Sequence, residues 1–280
     1  MNTSQRYGIA IFHGIGDILN CTPIAKQLKL KEPECHITWY TASKYRFIVE
    51  NNPFIDEIIT LDGDVLELDK EMSRLSKVQN WTRFFTPAPY MNYDVLPGGS
   101  LLDLIKTAAR LEWTFPFIPI FSLSDSEVKQ ARDYWNALPE GKKILVETEF
   151  YSEQSHWKDD YAFEMLAELR QIDPVFIFTA KNKPPFFDEF HQKYPKSVWC
   201  AEPFRLNAEF FNLSDAFIGV SSGISCVTFS DYCRTDVPRI EVSRGEHWSA
   251  TGYPHLSELY ICYNRKRFQE SLRSLAVRLS

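Results

Sequence analysis

Short apolar segments alternate with helical patterns along this chain, and that alternation restricts its fold more than any other feature. In the first part, strand-like and helical segments follow one another at 7–12, 17–30, 36–40, 43–50 and 55–60. Strands that alternate with helices form parallel, doubly wound sheets, because each helix carries the chain back to the same end of the sheet. The pattern therefore predicts an α/β fold.

The same alternation resumes in the second part of the chain. There, strand-like and helical segments follow at 144–148, 158–171, 174–179, 185–194, 197–200, 207–213 and 216–220. Between the two parts, a polar helical pattern at 124–138 precedes the turn Pro139-Glu140-Gly141, which places a domain boundary between 120 and 142. We predict two Rossmann-like domains, 1–130 and 131–280.

The end of the first part has a different composition. Residues 64–80 carry a charged helical pattern, while 81–100 are rich in aromatic residues and turn formers. We interpret 81–100 as an irregular loop, which either lines a cleft or packs as a surface turn.

Charge and cysteine usage exclude several classes of protein. The net charge of −6 opposes non-specific binding of nucleic acid, and we expect no nucleic-acid partner. The six cysteines are scattered without a C-x-x-C pair, which indicates reduced thiols and argues against structural zinc. No apolar segment approaches the roughly 20 residues of a membrane span, and no signal peptide is evident, so we expect a cytoplasmic protein.

A basic amphipathic helix is predicted at 264–280. Apolar residues recur at helical spacing, with arginine and lysine on the other sides. This helix either docks its apolar stripe on the protein or contacts an anionic membrane surface.

The first strand runs into a glycine loop, His13-Gly14-Ile15-Gly16-Asp17, at the start of a helix. Glycines let the backbone approach a ligand, and Asp17 there is either a helix cap or a catalytic base. Leu19 replaces the third glycine of the dinucleotide fingerprint, and no Gly-Lys-Ser/Thr follows, so neither common phosphate-loop motif is present. His13 is a second candidate base or a structural hydrogen bonder.

A second strand runs into Ser221-Ser222-Gly223-Ile224-Ser225 before another helix. Successive amides and serine hydroxyls at a helix start bind a diphosphate, although serine is also a preferred N-cap. Two further strand ends carry candidates for the same ligand, and these are Thr148 and Ser155 after one strand and Lys181 after the next. Trp157 packs under a base or sugar, or belongs to the core.

Taken together, these segments resemble glycosyltransferase family 9, which includes the ADP-heptose:lipopolysaccharide heptosyltransferases. The motifs are Gly14-Ile15-Gly16-Asp17-Ile18-Leu19 with Pro23, Asn52-Pro53-Phe54-Ile55-Asp56-Glu57-Ile58, and the run 213–225. The resemblance is best over about the first 62 residues. The chain departs from it at Ser221-Ser222-Gly223-Ile224-Ser225-Cys226, where the family has Asp-Thr-Gly-x-x-His, and at Ser155, where it has lysine.

The resemblance implies a GT-B fold, in which two Rossmann-like domains face each other across a cleft, with a C-terminal helix that returns to the N-terminal domain. It also implies an inverting, metal-independent sugar transfer from a nucleotide-diphosphate sugar to a glycan or glycolipid hydroxyl at the inner membrane, without a cofactor. Asp17 is then the general base, with His13 as the second candidate. The donor-binding residues are Gly16, Thr148, Ser155, Lys181, Ser221, Ser222, Gly223, Ser225 and Glu246.

Two other functions remain open at the level of sequence. One is a GT-B-fold binding protein that has lost catalysis, since the serine-rich loop departs from the family pattern. The other is a different Rossmann-type nucleotide-sugar enzyme, such as an epimerase, because the fold alone does not determine the reaction.

Overall fold

The computed structural model describes residues 5–78, 80–87, 101–149, 157–244 and 259–280. The described chain forms two compact units, the first reaching to Leu123 and including Ser230–Tyr232, the second holding the rest. The boundary predicted at 130 falls within a helix, Asp125–Asn136, that belongs to the second unit.

The first unit is built on a parallel sheet of four strands in the order β3-β2-β1-β4. The strands are β1 (Arg6–Ala10), β2 (His36–Ala42), β3 (Glu57–Leu61) and β4 (Arg83–Phe85). Its helices are α1 (Ile15–Cys21), α2 (Pro23–Lys31), α3 (Val65–Val78) and α4 (Leu101–Ala109), with a 3₁₀ helix at Ser43–Ile48.

Two local predictions for the first unit are corrected. The helix expected at 17–30 is two helices, because Pro23 has no amide hydrogen to continue the first, and Thr22 instead hydrogen-bonds to the Leu19 carbonyl. Part of the loop expected at 81–100 is strand β4, which pairs with Tyr7–Ile9 of β1. The aromatic side chains Trp81 and Phe84 pack on Tyr40, so a contact distant in sequence holds this strand. Residues 88–100 lie outside the described ranges.

The second unit is built on a parallel sheet of six strands in the order β10-β9-β8-β5-β6-β7. The strands are β5 (Lys143–Glu147), β6 (Val175–Thr179), β7 (Ser197–Cys200), β8 (Ala216–Val220), β9 (Arg239–Val242) and β10 (Leu259–Cys262). Its helices are α5 (Asp125–Asn136), α6 (Asp159–Leu169), α7 (Phe187–Lys193), α8 (Asn207–Leu213), α9 (Gly223–Thr228) and α10 (Arg265–Leu279).

Helix α5 belongs to the second unit for a physical reason. Trp135 stacks on Phe210 of α8 with ring centroids 5.6 Å apart, and Arg132 pairs with the buried Glu209 at 2.7 Å. Near its start, Glu127 pairs with Arg205, whose side chain is also buried. These contacts join α5 to α8 and the turn before it.

Helix α10 packs within the second unit rather than returning to the first domain as expected. Its apolar stripe, led by Phe268 and Leu272, joins the core on one face of the six-stranded sheet. Arg265 and Arg273 pair with Glu164 and Glu168 of α6. The prediction was wrong because the acidic partners lie on α6 of the same unit. In the described ranges, no helix combines the length and apolar character that a bilayer span requires.

Candidate functional site

The order of strands reverses direction once in each sheet, which predicts a ligand crevice at the carboxyl edge of each sheet. In the first sheet, β2 and β3 lie on one side of β1 and β4 lies on the other side. In the second sheet, β6 and β7 lie beyond β5, whereas β9 and β10 lie beyond β8, so the strand order reverses between β5 and β8. Ligands of open parallel sheets bind where the direction reverses, outside the carboxyl ends of the strands. The loops that follow β1, β5 and β8 lie at these points, and they carry most of the candidate residues.

The loop after β1 brings Gly14 and Asp17 into contact. Gly14 has a φ of 71°, and a Cβ at this position would lie 2.7 Å from Oδ2 of Asp17. A side chain is therefore excluded twice, by backbone strain and by the carboxylate. Asp17 sits in the first turn of α1, with its carboxylate folded back over Gly14.

Asp17 is a desolvated carboxylate. Partial burial raises its pKa from 3.8 to about 6, and no described residue donates a hydrogen bond to its side chain. A capping acid would accept such a bond, so the geometry does not support the helix-cap interpretation of Asp17. An elevated carboxyl pKa in a crevice is a recurring property of catalytic groups.

Two other candidate residues, His13 and Gly16, lie beside Asp17 in the sequence of this loop. His13 is half-buried between β1 and Gly14, and Gly16 lies in the first turn of α1. Gly16 was grouped with the donor-binding residues, but it lies in the first unit, whereas the other described members of that group lie in the second.

The loop after β8 is organised by Ser222, the N-cap of α9. Its Oγ accepts hydrogen bonds from the amides of Ile224 and Ser225 at 3.1 and 3.2 Å. In return, Oγ of Ser225 accepts from the amide of Ser222 at 2.9 Å, which completes a capping box. This is the N-cap interpretation of the serine motif.

The cap engages the hydroxyls of Ser222 and Ser225, two of the groups that were expected to bind phosphate. Ser225 is only 1% exposed, so its contact with a ligand requires the cap to open. The amide of Ser221 donates to Val242 and that of Cys226 to Ser222. Gly223, half-exposed at the first helical position, is the residue of this loop best placed to offer an amide to a ligand.

A buried acid below this loop was not assigned a role from the sequence. Glu147, the last residue of β5, is 3% exposed and accepts a hydrogen bond from the Ser222 hydroxyl. Burial raises the pKa of Glu147 well above the usual range. The hydrogen bond from Ser222 opposes this rise, and the carboxylates of Glu241 and Glu149 add to it. The available signal was a glutamate directly ending an apolar strand, at the edge where ligands bind.

The ends of β5 and β6 are joined through Glu149. Its carboxylate accepts from the backbone amide of Lys181 at 2.8 Å and from Asn182 at 3.4 Å. The Lys181 side chain is exposed, and Thr148 beside Glu149 is half-buried. The backbone of the Lys181 loop is thus anchored while its ammonium group reaches solvent.

Three further candidates have different outcomes. Ser155 and Glu246 lie outside the described residues. Trp157 packs edge-on against Tyr161 and Phe268, at centroid distances of 5.9 and 6.3 Å, as the core interpretation expects.

Acidic residues also follow β3, in the sequence Asp62-Gly63-Asp64. Asp64 accepts from the amide of Glu67 at 2.9 Å and so stabilises the start of α3. Within the ranges that the structure describes, no three histidine, cysteine or acidic side chains group in a way that would hold a metal ion.

Comparison with protein-family models and comparison with curated protein sequences each found no match. Solved structures do match over almost the whole chain. A glycosyl transferase family 9 structure from Veillonella parvula DSM 2008 superposes with a TM-score of 0.71 at 14% identity, covering 100% of this chain and 98% of that one.

Two Escherichia coli structures are also similar. Heptosyltransferase WaaC, solved with ADP, has a TM-score of 0.61 at 11% identity and covers 98% of each chain. ADP-heptose lps heptosyltransferase II has a TM-score of 0.62 at 12% identity, covering 98% of this chain and 99% of that one. At 11–14% identity, these similarities show the fold alone. The chain has the parallel α/β fold, in two units, of glycosyltransferase family 9 and heptosyltransferase structures, which is the GT-B fold that its motifs predicted.

Proposed function

We propose that this protein is an inverting glycosyltransferase that moves a sugar from a nucleotide-diphosphate sugar to a hydroxyl of a glycan or glycolipid. The observation that carries the proposal is the carboxylate of Asp17, desolvated and folded over Gly14 at the carboxyl edge of the first sheet. The fold supports it, since structural neighbours include a heptosyltransferase solved with ADP.

Asp17 is the general base of this proposal. As the acceptor oxygen bonds to the anomeric carbon, its proton passes to Asp17, and the bond between that carbon and the diphosphate oxygen breaks. A pKa of about 6 leaves most of the carboxylate ionised near neutral pH and makes it a stronger base than an exposed aspartate. His13 is the second candidate for this proton transfer.

The second unit binds the donor in this proposal. The amide of Gly223 and the exposed ammonium group of Lys181 stabilise the charge that develops on the leaving diphosphate, with Ser221, Ser222 and Thr148 around them. Ser155, Ser225 and Glu246 complete the proposed donor set, and Glu246 is assigned to the ribose. The proposed reaction uses no metal or cofactor.

A panel of nucleoside diphosphates tests the donor side. A nucleotide present at 100 times its Kd should stabilise the protein by about 3 kcal/mol, which thermal unfolding detects readily. If ADP, GDP, UDP and CDP all leave the unfolding temperature unchanged, the donor site is refuted. A shift with one of them identifies the base.

Asp17→Asn tests the catalytic side. Loss of a general base lowers the rate by about 10²- to 10⁴-fold, measured as release of nucleoside diphosphate in the presence of acceptor. The exposed Asp62 provides a matched control, since Asp62→Asn removes one carboxylate from the same unit and should leave the rate unchanged. An active Asp17→Asn enzyme contradicts the assignment.

Two alternatives have specific support. The Ser222 and Ser225 hydroxyls are engaged in a helix cap, which favours a binding protein without turnover. Such a protein would bind a nucleotide sugar but would not produce free nucleoside diphosphate from it. A UDP-GlcNAc 2-epimerase from Methanocaldococcus jannaschii superposes with a TM-score of 0.52 at 10% identity, covering 97% of this chain and 93% of that one. An epimerase would convert the sugar of the donor without any acceptor.

Peripheral membrane contact through α10 stays a prediction. Arg265 and Arg273 are engaged with acids of α6, and Arg278 donates to the Asp236 carbonyl at 3.2 Å, which reduces the charge offered to a bilayer. Cosedimentation with phosphatidylglycerol vesicles, compared with phosphatidylcholine vesicles, tests it.

A further inference from the structure

Glu147 and Glu241 form a buried acidic pair beneath the loop between β8 and α9. Gly219 of β8 lies opposite Glu241 of β9, and continuing the register of β5 and β8 places Glu147 opposite Gly219 from the other side. Because side chains alternate along strands, the two acids and Gly219 share one face of the sheet. Both carboxyls are almost fully buried, at 3% and 1% exposure.

Among the residues that the structure describes, no cation neutralises a charge on Glu147. The described ionisable groups that act on it are two acids, Glu241 on β9 and Glu149, two residues beyond it in the chain. Arg239, on the same face of β9, directs its guanidinium to backbone carbonyls, those of Val237, Thr228 and Arg234. A buried carboxylate is costly, and the carboxylate of Glu241, two strands away on the same face, adds to the cost of ionising Glu147.

On the opposite side, Glu147 is bonded to the cap of α9. Ser222 Oγ already accepts from the amides of Ile224 and Ser225, so its own proton is the one directed to Oε2 of Glu147. That arrangement leaves Oε1 to carry the carboxyl proton. A continuous chain of hydrogen bonds therefore runs from the buried acid through Ser222 to the first turn of α9.

We propose that Glu147, in its protonated form, is the positioning residue that holds Ser222 and the loop between β8 and α9 closed. Loss of the proton to solvent leaves a buried carboxylate that the Ser222 hydroxyl alone does not compensate, because no cation among the described residues acts on it. The protein relieves this cost by opening the loop so that water reaches the carboxylate. Opening breaks the Ser222 cap. The loop thus passes from closed to open as the pH rises.

The direction of this dependence follows from linkage. The carboxyl has a raised pKa in the closed loop and an ordinary one in the open loop, so the closed form binds the proton more tightly. The equilibrium constant for closing the loop is largest when the pH is below the ordinary pKa of a glutamate. Above it, the closing constant falls by up to about tenfold per pH unit until the raised pKa is reached.

Hydrogen exchange across 221–226 tests the proposal. Protection factors, which correct for the intrinsic effect of pH on exchange, should fall for the wild-type loop as the pH rises above the ordinary pKa of a glutamate. Glu147→Gln keeps an oxygen that accepts from Ser222 but cannot ionise, so its protection should stay constant. Glu149→Gln is the matched control, since Glu149 bonds to the Lys181 loop rather than to Ser222, and it should keep the wild-type slope.

Two results would overturn the proposal. One is wild-type protection that does not change with pH, a measurement that holds even if Glu147→Gln fails to fold. The other is a Glu147→Gln profile that falls with the wild-type slope, which would assign the effect to another group.

The proposal is separable from the proposed donor site. If this loop binds nucleotide, wild-type affinity for the nucleoside diphosphate should fall over the pH interval in which protection falls, while the affinity of Glu147→Gln should not. A protein that binds no nucleotide leaves the exchange result unaffected, so the two proposals fail by different measurements.

Discussion

Replacement of Asp17 by asparagine should make the protein more stable above pH 6. Burial raises the pKa of Asp17 from 3.8 to about 6, so the folded chain carries a charge that the unfolded chain solvates better. A shift of one pKa unit corresponds to about 1.4 kcal/mol, so the rise of about two pKa units corresponds to about 3 kcal/mol. Because Asp17 keeps partial contact with solvent, we expect a gain of between about 1 and 3 kcal/mol.

The stability that Asp17→Asn gains over the wild type should increase as the pH rises from 4 to 6. Below the unfolded pKa near 4, both states hold the proton and the variant should equal the wild type. Between pH 4 and 6 the wild type loses stability as the folded carboxyl is forced to ionise, and above 6 the difference is constant. Urea unfolding of both proteins at pH 4 and at pH 8, monitored for the first unit, measures the difference directly.

Asp56 supplies a control of opposite sign in the same unit. It pairs with Lys29 at 2.8 Å and accepts from the Ile37 amide, and although burial opposes the change, these contacts hold its pKa below the usual range. Asp56→Asn should therefore destabilise the protein at pH 8. If Asp17→Asn is no more stable than the wild type at pH 8, Asp17 is not desolvated and the argument for a base loses its main support.

Three further predictions concern the loops and one ion pair. Gly14→Ala should lower stability by about 1–3 kcal/mol and also impair transfer, because a Cβ would strain the backbone and push against Asp17; urea unfolding and a transfer assay measure both, and an unchanged variant would contradict the close contact. Ser222→Ala should cost about 1–2 kcal/mol in the second unit through loss of the α9 cap, read from its urea midpoint. Burial opposes ionisation of Glu127, but its bonds to Arg205 and to the amide and hydroxyl of Ser124 lower its pKa to about 2, so these contacts should contribute stability above pH 4.5 that is lost as the pH falls toward 2. Acid unfolding of Glu127→Gln beside the wild type checks this, and parallel curves would refute it.

Apolar patterns in the sequence predict four of the six strands of the second sheet, β5 to β8. The segments at 207–213 and 216–220 match α8 and β8. The second of these is a continuous apolar run, which is typical of a buried parallel strand. Strands β4, β9 and β10 were not predicted. Each has only three or four residues, so its own sequence carries little periodic signal.

Sequence alone determined the alternating α/β architecture, the crevice loops after β1 and β8, and the candidate status of Asp17, since these follow from apolar periodicity and from glycine and serine at strand ends. Only the tertiary structure decided what the side chains do. It folds Asp17 over Gly14 without a capping bond, turns Ser222 inward to cap its own helix, and buries Glu147 beside Glu241. Desolvation and the distances between charged groups depend on which strands become neighbours, and the order of strands in a sheet is set by packing across the whole unit rather than by any local segment.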